Sequence, residues 1–187
     1  EAYMSIIREL AGFSLMRSQE LVPGDLLDGA ASIATGDEET ALVHFLVGWQ
    51  LAGEPSVERR VRAGAEFAQA TGMSDSPMRV RMLWAYASWA LESGSSSIGD
   101  DGRVHAEPDY EKAIDILGAI VATGNDSDKA AAARILDEIR RPVLELRIGN
   151  AFRPGSQARI EILRRNCPVA EIGIYPFRPG LIPPASA

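Results

Sequence analysis

The chain has 187 residues and a formal net charge of -7, with 46% hydrophobic, 24% charged and 6% aromatic side chains. That length fits one domain whose core holds without disulfides or a structural metal. The acidic balance excludes a generally basic nucleic-acid coat and disfavours loose attachment to anionic membranes, leaving open a local basic patch.

Cys167 is the single cysteine, so no intramolecular disulfide can form. With only His44 and His105 besides, no metal site and no cofactor are expected. No apolar run reaches the roughly 18 residues of a transmembrane helix. Met4 reads as a start residue, and no basic-then-apolar leader follows it, so a cytoplasmic location is expected. Only Lys112 and Lys129 among the 19 basic residues are lysine, an arginine bias that points to a GC-rich, bacterial genome.

The elements read as helices in series. Ile6, Ile7, Leu10, Phe13 and Leu15 mark one face of a helix over 4–20. Pro23, Gly24 and Asp25 break it, and Asp25 caps a short helix ending near Thr35. Asp37 is the expected N-cap of the next, with Leu42, Phe45, Leu46 and Trp49 at i, i+3, i+4, i+7 spacing and Gly53 as its stop. Pro55 suits the first turn of a helix that stops at Gly72. Ser76 and Pro77 open another through Met82, Leu83, Tyr86 and Ala90 to Gly94. The Asp101-Gly102 step suits a small hairpin over 98–104. Pro108 opens a helix through Ile114, Leu117 and Val121 to Gly124. Asp126 or Ser127 caps a last one that ends before Pro142.

Two stretches repeat. Glu54-Pro55-Ser56-Val57-Glu58-Arg59, closing with Ala70-Thr71-Gly72, parallels Glu107-Pro108-Asp109-Tyr110-Glu111-Lys112, closing with Ala122-Thr123-Gly124. The preceding helices match as well: Trp49-Gln50-Leu51 with Gly53, and Trp89-Ala90-Leu91 with Gly94. The surplus in the second copy is residues 95–105, an insertion between its two helices. Helix pairs repeated in series bury their apolar faces only by stacking.

These units resemble tetratricopeptide repeats. The likeness rests on Trp84, Ala87, Ala90, Leu91 and Gly94, followed by Asp109-Tyr110-Glu111-Lys112-Ala113-Ile114, and covers about residues 37–141. The units are longer than the family's usual length of about 34 residues, and neither ends in its usual proline. The resemblance implies an all-α fold of antiparallel helix pairs stacked as a short right-handed solenoid, with units over about 4–36, 37–72 and 76–124. It also implies a concave groove for a protein or peptide, and no catalytic residues. Arg59 and Arg62, with Trp49, Trp84, Tyr86 and Trp89, are the candidate groove residues.

Beyond Pro142 the pattern changes. Val143-Leu144-Glu145-Leu146-Arg147-Ile148 fits either a strand or a continuing helix, and Ser156 is expected to cap a terminal helix through Ile160 and Leu163 to Arg165. Five prolines between Pro168 and Pro184 then forbid regular helix. Residues 142–187 are therefore expected as a terminal helix plus an extended, Pro-rich, irregular tail packed on the helical domain of residues 1–141. Residues 1–133 carry 21 acidic and 10 basic side chains, and residues 134–187 carry five acidic and nine arginines. Arg140, Arg141, Arg159, Arg164 and Arg165 are the candidates for an acidic partner or RNA.

Candidate chemistry is sparse. His44 lies on an apolar helix and reads as structural. Asp100, Asp101, His105 and Glu107 in the insertion form the one polar cluster that suits a general base or a small-ligand site. The expected function is a protein- or peptide-binding adaptor, chaperone or scaffold, and the alternative is an all-α enzyme or ligand binder centred on that insertion.

Overall fold

The computed structural model describes residues 24–73, 78–148, 160–171 and 173. These fall into two compact units divided between Ile139 and Arg140. The expected helix over 4–20, the Ser76-Pro77 cap, Ser156, Arg159 and most of the Pro-rich tail lie outside the described residues.

The first unit holds six helices among its described residues: α1 (Gly24–Ile33), α2 (Asp37–Ala52), α3 (Val57–Met73), α4 (Met78–Ser93), α5 (Tyr110–Thr123) and α6 (Asp126–Arg140). A hairpin of β1 (Ser95–Ile98) and β2 (Val104–Glu107) separates α4 from α5. The described residues are thus mostly helical, in broad agreement with the expected all-α class, with two small antiparallel hairpins in addition.

The caps differ from expectation in instructive ways. Gly36 takes the N-cap position of α2, and Asp37, Glu38 and Glu39 all lie in the first turn, where three carboxylates face the positive end of the helix dipole. Glu39 reaches back to accept from the Thr35 N–H at 3.2 Å. Asp109 caps α5 by accepting from the Lys112 N–H at 3.0 Å. Asn125, rather than Asp126 or Ser127, caps α6 through the Asp128 N–H at 3.0 Å.

The core runs through all six helices, from Leu27 in α1 to Ile139 in α6. The packing of α2 on α3 is the most extensive, followed by α4 on α5. His44 meets Glu66 and Gly48 meets Ala63 and Phe67, and the short connection from Ala52 to Val57 makes the packed pair an antiparallel helical hairpin. Phe67 is fully buried and links the aromatic rings, with centroids 5.8 Å from Phe45, 6.5 Å from Trp49, 5.5 Å from Tyr86 and 5.7 Å from Trp89.

Two helical glycines set how closely these helices approach. A Cβ on Gly48 would stand 3.0 Å from the Phe67 ring and 3.2 Å from the Ala63 carbonyl. A Cβ on Gly64 would stand 2.9 Å from Cη2 of Trp89. The indole of Trp89, only 6% exposed, therefore lies in a space that any other residue at position 64 would occupy.

The insertion leaves and rejoins the helices at one carbonyl, and its strands β1 and β2 lie against α3 and α4 respectively. The Ala90 carbonyl accepts from the Gly94 N–H at 3.3 Å and from the Asp109 N–H at 2.8 Å. The chain leaves α4 and returns to start α5 at the same point. Within the hairpin Ile98 pairs with Val104, so the ladder runs on both sides well beyond the expected 98–104. Gly102 turns it with φ of 72°, a left-handed conformation that glycine adopts at no steric cost.

The second unit contains β3 (Val143–Ile148) and β4 (Ile160–Arg165), paired antiparallel from Val143 opposite Arg165 to Ile148 opposite Ile160. The terminal helix expected through Ile160 and Leu163 to Arg165 is thus a strand. Ile160-Glu161-Ile162-Leu163 satisfies both periodicities over so short a run, and the pairing with β3 decides the conformation.

The glycine contacts predict opposite outcomes for one substitution at two sites. Gly64→Ala should destabilise the protein by about 1–3 kcal/mol, because overpacking against the buried Trp89 outweighs the gain in helix propensity. Gly118→Ala, on an exposed face of α5 with nothing within 4 Å, should stabilise by about 0.5–1 kcal/mol. Urea denaturation of both variants measures the contrast.

Candidate functional site

The structure sorts the six candidate groove residues by depth. Tyr86 and Trp89 are 7% and 6% exposed. They pack in the aromatic core, so a partner cannot touch them without opening the fold, and their assignment as contact residues is corrected. Trp49 is half-buried, with its ring 6.1 Å from Phe45. Trp84 is half-buried and donates from Nε1 to Asp128 Oδ1 at 2.9 Å, tying α4 to α6. Arg59 and Arg62 are exposed on α3. Arg59 is ion-paired with Glu54, and Arg62 Nε lies 3.4 Å from Glu66 Oε1.

Glu66 has a second partner. His44 Nδ1 lies 2.6 Å from Glu66 Oε2, so the imidazole joins α2 to α3 and its structural reading fits its place. The ring, Glu66 and Arg62 form a continuous polar chain across the α2–α3 seam.

Of the four insertion candidates the structure brings only two together. Asp100, Asp101, His105 and Glu107 are all exposed. His105 Nε2 meets Asp101 Oδ1 at 3.1 Å. The Arg103 N–H, first in effect, and His105 together hold the Asp101 carboxyl below its ordinary value. Glu107 stands two positions beyond His105 on β2, opposite Ser95. Among the described residues no group of three or more His, Cys, Asp or Glu side chains is arranged to hold a metal.

The polar arrangement that sequence reading missed sits where α4, the hairpin and α5 meet. Asp109 Oδ2 pairs with Lys112 Nζ at 2.7 Å, and that ammonium lies 5.4 Å from the Trp89 ring centroid. Partial burial raises the Asp109 carboxyl, but the Lys112 side chain and N–H outweigh it and hold the group below its ordinary value. Burial first, and the charge of Asp109 second, push the Tyr86 phenol above its ordinary value. The Asp109-x-x-Lys112 spacing was the available signal, since i, i+3 places both on one helix face.

Of the basic candidates, Arg140, Arg141 and Arg164 are exposed and Arg165 is half-buried. Pairing of Val143 with Arg165 and Leu144 with Arg164 brings the strand-end arginines to the end of the hairpin that Arg140 and Arg141 lead into. Arg164, Asn166, Cys167 and Pro168 line a shallow depression there. The Cys167 thiol donates to the Val143 carbonyl at 3.4 Å, a structural contact.

No family model matches the chain, and neither does any curated protein or solved structure. No helix among the described residues is long and apolar enough to cross a membrane.

The raised Tyr86 phenol has a pH consequence. A phenol that ionises less readily in the fold contributes stability below the unfolded value of about 10, and that stability is lost as pH rises through the folded-state value. Urea denaturation at neutral pH and at about pH 11 should show a larger loss in the native chain than in Tyr86→Phe.

Proposed function

We propose that this chain is a helical-repeat binding protein, an adaptor, chaperone or scaffold for a protein or peptide. The observation that carries the reading is the correspondence of the two helix pairs. The Trp-x-Leu helix ending and the Glu-Pro step that opens the next helix fall at the α2–α3 junction and again at the α4–α5 junction. The surplus of the second pair is accounted for by a hairpin whose ends return to one carbonyl.

In this reading the pairs are tetratricopeptide-like units of a short right-handed stack in a cytoplasmic bacterial protein. Exposed Arg59 and Arg62 meet the carboxylates of a partner after exchanging Glu54 and Glu66 for them, a geometry that guanidinium groups suit. The half-exposed edges of Trp49 and Trp84 supply apolar contact, while Tyr86 and Trp89 hold the wall from behind. The alternative, a reaction centred on the insertion, has less support, because its four polar residues are exposed and only His105 and Asp101 meet.

A peptide display screen against the intact chain tests the proposal. An enriched peptide should bind saturably, and Arg59→Glu with Arg62→Glu should weaken it by about tenfold or more, equivalent to 1.4 kcal/mol. Removal of residues 95–107 should leave that affinity unchanged. A screen that enriches nothing, or a peptide that depends on the hairpin alone, would defeat this reading.

A further inference from the structure

The β3–β4 hairpin presents an apolar face with no cover among the described residues. Alternation along each strand puts Leu144 and Leu146 on the same side as Ile160 and Ile162, because Leu146 lies opposite Ile162 and Ile148 opposite Ile160. These side chains are 56%, 51%, 37% and 38% exposed, respectively. The other side carries only Val143 and Leu163 as apolar residues, 37% and 45% exposed, among Glu145, Arg147, Glu161 and Arg165, with Arg147 Nε 2.9 Å from Glu145 Oε1 and directly opposite Glu161 in the register. Acid and base are thus matched on that side.

The charge surplus is gathered elsewhere. Arg140 and Arg141 precede β3, Arg164 and Arg165 end β4, and the register brings both pairs to one end of the hairpin. Arg164 projects from the apolar side, opposite Leu144, and its Nη1 donates to the Pro168 carbonyl at 3.2 Å. Across the described residues of this unit five arginines stand against Glu145, Glu161 and Glu171. A second hairpin of the same kind has no surplus of carboxylates with which to answer these arginines. An occupant must combine aliphatic side chains with carboxylates at one end.

We propose that the β3–β4 hairpin docks an acidic, amphipathic segment of a partner protein. Its apolar residues lie on Leu144, Leu146, Ile160 and Ile162, and its carboxylates meet Arg140, Arg141 and Arg164. An isolated two-stranded hairpin is marginally stable in water and gains from a further layer or strand, so the docking stabilises the unit as well as the complex. Aliphatic side chains favour a polypeptide over RNA, because no aromatic ring among the described residues of this unit offers a base a stacking surface. The surface uses none of the residues assigned to the groove above.

The test uses the intact chain and a fluorescent synthetic peptide of alternating leucine and glutamate with aspartates at one end, followed by anisotropy. Saturable binding is expected, weakening as salt rises. Peptides with lysine in place of the acids, or serine in place of the leucines, should bind about tenfold or more weakly. Arg141→Glu with Arg164→Glu, and Leu146→Ser with Ile162→Ser, should each cost the chain a similar factor while leaving its helical circular dichroism intact. Arg59→Glu with Arg62→Glu should change nothing, which separates this surface from the groove. The proposal is overturned if the acidic peptide does not saturate. It is equally overturned if the serine peptide binds as well, or if single-stranded RNA or phosphatidylglycerol vesicles bind more tightly than the peptide.

Discussion

The helical unit depends on one close approach, the ring of Trp89 against the bare backbone of Gly64. Phe67 lies one turn along α3 from Gly64 and touches rings from α2 and α4 on either side. Such ring pairs contribute roughly 0.5–1.5 kcal/mol each beyond area burial, but only at the spacing the backbone permits. Gly48 sets that spacing between α2 and α3, and Gly64 sets it between α3 and α4. A chain with few aromatic residues thus concentrates five of them at the seam of three helices.

The polar chemistry of the unit is arranged around that seam. With Trp89 fixed, Lys112 lies over its ring, and Asp109 answers Lys112 while capping α5. The Asp109 N–H meanwhile reaches the end of α4, so one residue starts a helix, neutralises a cation and closes the insertion. The arrangement has a cost. Among the described residues the buried Trp89 indole N–H finds no acceptor, a loss of about 1–3 kcal/mol, which the packing of the ring offsets.

Helix ends were legible because glycine and proline act locally: Gly53, Pro55, Gly94, Pro108, Gly124 and Pro142 all lie at or beside observed boundaries. The repeat was legible for the same reason. Depth was not. Trp49, Trp84 and Trp89 occupy similar positions in amphipathic helices, and only tertiary packing distinguishes the buried Trp89 from the half-exposed pair. The conformation of Ile160–Arg165 was likewise set at a distance, since Ile160 and Leu163 fit a helical face as well as a strand until β3 supplies the register. Asp109 belongs to the repeated motif, but the effect of its charge on Tyr86 appears only in three dimensions.

Net charge is a poor guide to what such a chain attracts. The value of -7 sums an acidic stretch through residue 133 and an arginine-rich remainder. At physiological salt, fields between exposed charges decay over about 8 Å, less than the span of a six-residue strand, roughly 20 Å. The end of the β3–β4 hairpin carries the exposed Arg140, Arg141 and Arg164, while the first turn of α2 carries Asp37, Glu38 and Glu39. Recognition on each surface follows the sign and the apolar surface within a few ångströms. The acidic composition that excludes a general nucleic-acid coat is therefore compatible with a cationic docking surface on the same chain.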